Sequence, residues 1–136
     1  MQNLGLITRN RWFPLIFTSI AFGLLHGANP EIEKFGNIVF IFYIGSGLFA
    51  GIMTLMDDGM ELALGWHAAN NLIAALLVTA DWTALQTESV LKDISDPTFG
   101  IYEMLIGAIL YPAVLYIFAK KYSWTNWKEK LLSRVR

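Results

Sequence analysis

The chain contains two histidines, His26 and His67, and each has a partner four positions away: Phe22 before the first, Asn71 after the second. An imidazole can take or give a proton near neutral pH and can ligate a metal. An amide N–H beside it can donate to a developing oxyanion. A spacing of four puts both members of each pair one turn apart on one face of a helix, whereas Asn70 lies about 100° away from His67. Cysteine is absent, which excludes thiolate nucleophiles, disulfides and thiolate metal sites. Chemistry here falls to imidazole, carboxylate, hydroxyl and amide groups.

Both pairs lie in strongly apolar surroundings. The 136 residues are 55% hydrophobic and 15% charged, with a mean hydropathy of +0.47, above the usual range of a soluble domain. Four apolar runs stand out: Phe13 to Asn29, Gly36 to Met56, Met60 to Ala80 and Phe99 to Ala119. Each is long enough for a helix to cross a bilayer, which takes roughly 20 residues, the first only marginally. No alternating ten-residue pattern suggests a barrel, so helices are expected. The expectation is an all-α, multi-pass membrane bundle of about four helices, a single domain over residues 1–136. Pro30 is expected to end the first helix, Asp57 to Gly59 to turn the chain, and Asp81 to Thr98 to form a polar loop.

Charge sets the orientation. Arg9 and Arg11 precede the first run, and Lys120, Lys121, Lys128, Lys130, Arg134 and Arg136 follow the last. Four crossings put both tails on one side, and the positive-inside rule makes that side cytoplasmic in a cell membrane. The tail 120–136 reads as a basic amphipathic segment on the inner headgroups. The bilayer is the expected partner, and nucleic acid is not. Gly47 and Gly51, four apart, read as a face on which a neighbouring helix approaches closely. Ser19, seven residues before His26, is a candidate to line the same cavity.

A polar side chain inside a membrane helix marks a functional site by default. The plainer reading is that such groups bond helices together, at around 1 kcal/mol per contact. "FGLLH" at Phe22 to His26 and "HAANN" at His67 to Asn71 resemble two motifs of the CPBP family of intramembrane proteases. That family includes the type II CAAX prenyl endopeptidases and the bacteriocin self-immunity proteins. The resemblance covers roughly Arg11 to Val78. It implies a polar cavity in the bilayer where water attacks a peptide bond of a membrane-associated or prenylated substrate. By the motifs, His26 would orient the water or ligate a metal, and His67 and Asn71 would stabilise the oxyanion. Zinc is an open question: His26 and His67 are candidate ligands, but two histidines fall one short of an open zinc site.

The family's Glu-Glu-x-x-x-Arg motif does not occur in the sequence. The resemblance therefore implies that the chain is the C-terminal part of a larger family domain, or a short member without the base. Glu31, Glu33, Glu61 and Glu103 are the carboxylates weighed as substitutes, with ordinary interfacial solvation as the simpler account of each. Counted from parallel inner ends at about 1.5 Å per residue, His26 lies roughly 10 Å deeper than His67, so stagger or tilt must bring them together. Two functions follow: an intramembrane endopeptidase, or an inactive family member acting as a membrane binding or immunity protein.

Overall fold

The computed structural model describes residues 1–95 and 101–134, the side chains of 101–103 excepted. Phe99 as the start of the last helix, Asp96, Glu103 and Arg136 lie outside the described residues. Helix α1 spans Gln2–Thr8 and α2 spans Trp12–Leu25. The short α3, Pro30–Phe35, leads through a 3-10 turn at Gly36–Ile38 into α4, Val39–Met56. Then come α5 at Glu61–Leu76, strands β1 at Val78–Ala80 and β2 at Leu91–Asp93, α6 at Ile101–Lys121, and α7 at Trp127–Leu132.

The chain is mostly helical, and the sequence pattern erred mainly at element ends. Pro30 opens α3 instead of closing α2. A proline fits a first helical position, where its missing N–H costs nothing. The third apolar run stops being helical at Leu76, and β1 and β2 pair in parallel, Val78 opposite Leu91. The fold is thus not purely α. The β-branched Val78 and Thr79 suit extended backbone, and Ser89 Oγ accepts the Thr79 N–H at 3.1 Å. Two helices are long and apolar enough to cross a bilayer, Pro30–Met56 and Met104–Lys121. At 14 and 16 residues, α2 and α5 span about 21 and 24 Å, short of a core of roughly 30 Å.

The tightest packing is α2 on α4. A Cβ on Gly47 would stand 2.9 Å from the Ser19 carbonyl oxygen and 3.0 Å from Ser19 Cα, so the two backbones touch. Ser19 is buried in this contact, with its hydroxyl donating to the Leu15 carbonyl at 2.7 Å. It serves helix packing and does not line the cavity described below. Phe49, Met53, Met56, Ala63 and Trp124 form the core, and Phe49 stacks on Tyr111 with ring centroids 4.7 Å apart.

The C-terminal segment is tied across the ends of the helices and does not extend away from them. Trp124 Nε1 donates to Asp57 Oδ1 at 3.2 Å, and Lys130 Nζ donates to the Met56 carbonyl at 2.8 Å. Lys130 also pairs with Asp58 at 2.5 Å. The Arg11 N–H reaches the Ser133 carbonyl at 3.2 Å. Both tails and the Asp57–Met60 turn therefore meet at one end of the molecule. At the opposite end, Phe35 meets Trp82 edge to face at 5.2 Å.

Candidate active site

His26 sits at the C-cap of α2, and its Nδ1 lies 2.7 Å from the Phe22 carbonyl. A carbonyl oxygen only accepts, so Nδ1 carries the proton and Nε2 keeps its lone pair. The ring is held between two aromatics, Phe22 at 4.5 Å and Tyr43 at 4.6 Å. The sequence thus builds one half of the site by placing an imidazole where the helix carbonyl ladder runs out of amides and can fix its tautomer.

The second half is on α5. Asn71 Nδ2 donates to His67 Nε2 at 3.2 Å, which leaves the His67 proton on Nδ1. That N–H is free to meet an oxygen that gains negative charge. His67 is exposed on the described surface, and Asn71 is half-buried.

The two halves meet at Phe22, not directly. Its ring lies 5.8 Å from His67, edge to face, and the His26 ring is on the same phenylalanine. The depth offset expected from the sequence is thus bridged by the residue one turn before His26. The expected sharing of one polar pocket takes a different form. A cavity of about 610 Å³ runs between α2, α4, α5 and α6, and its wall includes Phe22, Ser46, Trp66, His67, Asn70 and Tyr111. His26 and Asn71 are not on that wall. Asn70, placed off the face by helical geometry, is on it, because the cavity is wider than one side-chain row.

Sequence reasoning weighed Glu31 as a substitute carboxylate but missed Asn29 and the Tyr43 hydroxyl beside His26. Asn29 Nδ2 donates to the Tyr43 hydroxyl at 3.1 Å. The Glu31 carboxylate lies within electrostatic reach of that hydroxyl. Its Oε1 accepts the Ala84 N–H at 2.9 Å, and its Oε2 is buried without a hydrogen-bond partner among the described residues. Glu33 and Glu61 are exposed. Tyr111 and Ser46 hydroxyls share a 2.9 Å hydrogen bond across α6 and α4. Tyr43 and Tyr111 sit in apolar runs, so their hydroxyls were the available signal.

The arrangement offers one imidazole lone pair, one oriented imidazole N–H and an apolar cavity with a polar edge. Among the described residues no three His, Cys, Asp or Glu side chains converge where a metal could be held. Those residues alone do not fit a zinc centre.

Residues 1–73 match the family model described as type II CAAX prenyl endopeptidase Rce1-like. The match covers more than half of the chain, which belongs to that family. The chain is also 33% identical over 79 residues to YyaK, an uncharacterized protein of Bacillus subtilis (strain 168). The aligned stretch is 58% of this chain and 26% of YyaK, so the chain spans about a quarter of that relative's length. No solved structure matches it.

Proposed function

We propose that the chain carries the oxyanion and water-orienting half of an intramembrane endopeptidase acting on membrane-associated, CAAX-type substrates. It is a multi-pass protein of the cell membrane with both termini cytoplasmic. The observation that carries the reading is the Asn71–His67 hydrogen bond. It fixes the tautomer of an imidazole that lines a largely apolar cavity of about 610 Å³.

In this reading the scissile bond lies beside Phe22, the ring that separates the two histidines: water held at His26 Nε2 attacks the carbonyl carbon, and the oxygen that gains charge accepts a hydrogen bond from His67 Nδ1–H. His26 is kept in the accepting tautomer by the Phe22 carbonyl. The water proton passes to a carboxylate and then to the leaving nitrogen as the C–N bond breaks. The family's first-motif glutamate has no counterpart in these 136 residues, so in this reading that carboxylate comes from outside them. The basic residues that flank the gathered tails support the orientation, since positive charge collects on the cytoplasmic side.

The second reading, a membrane binding or immunity protein without catalysis, is favoured by one observation. Among the described residues the His pairs have no carboxylate in hydrogen-bond contact. The test is cleavage of a membrane-anchored peptide by the reconstituted protein, with His67→Ala alongside. Losing one oxyanion donor lowers turnover by about 10²–10³. Cleavage unaffected by His67→Ala refutes the mechanism, and no cleavage by either protein even when a Glu-Glu-x-x-x-Arg helix is co-reconstituted to supply the carboxylate selects the second reading.

A further inference from the structure

A second concavity, of about 500 Å³, lies far from His26 and His67, between the inner half of α6 and the segment that follows it. Pro112, Leu115 and Ala119 form its apolar floor, Tyr116, Trp124 and Trp127 its walls, and Lys120 stands at the rim. The helix that supplies the floor is a candidate membrane span ending at Lys121, so the groove straddles the boundary between hydrocarbon and headgroups. Its wall is fixed in advance. Trp124 is held by Asp57, and Lys130 by the Met56 carbonyl and Asp58.

Lys120 lines the groove, and Lys121 and Lys128 adjoin its lining residues Lys120 and Trp127 along the chain. The ion pairs among the described residues are Lys92 with Asp81 and Lys130 with Asp58. Lys120, Lys121 and Lys128 take part in neither. Lys120 Nζ rests 5.7 Å from the Tyr116 ring centroid and Lys121 Nζ 5.4 Å from that of Tyr122. Glu129 is the carboxylate on α7, and it is exposed. None of the described lining residues is acidic. An occupant must bring hydrocarbon for the aromatic floor and negative charge for the rim, at headgroup depth.

We propose that this groove holds one anionic phospholipid, with an acyl chain along Leu115, Tyr116 and Trp127 and its phosphate among Lys120, Lys121 and Lys128. A lipid here braces α6 against the strap that closes the core. The site is independent of peptide hydrolysis.

The test uses the whole chain in neutral detergent micelles and its tryptophan fluorescence. Phosphatidylglycerol with brominated acyl chains is titrated against brominated phosphatidylcholine. Saturable quenching at a lower mole fraction of phosphatidylglycerol is expected, and Trp127→Phe reduces that saturable component, leaving the part owed to Trp124. Changing Lys120, Lys121 and Lys128 to Gln weakens the anionic lipid roughly five-fold per lysine, while the triple change to Arg keeps the preference and shows that the fold survives. Excess inorganic phosphate leaves the quenching in place. Equal response to the two lipids, an unchanged preference in the triple Gln variant, or displacement by phosphate each overturns the proposal.

Discussion

Gly47→Ala tests whether the contact between α2 and α4 positions the site. The new methyl carbon would stand 2.9 and 3.0 Å from backbone atoms of Ser19 and 3.1 Å from Phe22 Cβ. Backbone cannot rotate aside as a side-chain tip can, so α2 must move away, and overpacking of this kind costs about 1–3 kcal/mol. Gly45→Ala, in the same helix, is the internal control, because a Cβ there meets nothing within 4 Å. Both substitutions gain the same helix propensity, at most about 1 kcal/mol. That gain cancels between them, leaving the close approach as their difference. Thermal unfolding in detergent should then place Gly47→Ala roughly 4–12 °C below Gly45→Ala, at about 4 °C per kcal/mol. Because the displaced atoms include Phe22, whose ring touches both histidines, Gly47→Ala should also lower peptide cleavage while Gly45→Ala does not. Equal melting temperatures would refute the claim that the helices touch through glycine.

Asn71→Leu removes the donor that fixes the His67 tautomer, and turnover should fall by about 10² with little change in KM; a change confined to KM contradicts the assignment. Lys130→Met leaves the Met56 carbonyl without its charged donor and should cost about 1 kcal/mol, the exposed Asp58 pair adding little. Limited proteolysis after Lys121 should then be faster. At the end of β2, the Ser95 hydroxyl and backbone N–H hold the Asp93 carboxyl below the usual carboxylate range. Its contribution to stability is therefore present above the unfolded pKa and lost as pH falls through the folded one. Carbon-detected NMR should show the Asp93 midpoint rising in Ser95→Ala, and an unmoved midpoint would rule out the hydroxyl as a cause.

The amino-acid sequence by itself determined the membrane-like composition, the helical character of the apolar runs and the pairing of His67 with Asn71. All of these are local: a spacing of four on a helix makes one turn wherever the helix lies. It also marked Gly47 as a point of close approach, since only a missing side chain lets two backbones touch. Tertiary structure decided the rest. It stopped α2 at Leu25 and α5 at Leu76, because helix ends depend on what the flanking backbone can pair with, and Val78 to Ala80 found Leu91 to Asp93. It turned Ser19 into a packing residue and placed Asn70 on the cavity wall. It folded the basic tail back through Trp124 and Lys130. The meeting of the two histidines on Phe22 also belongs to tertiary structure, because the relative depth of two helices is set by their packing and not by their composition.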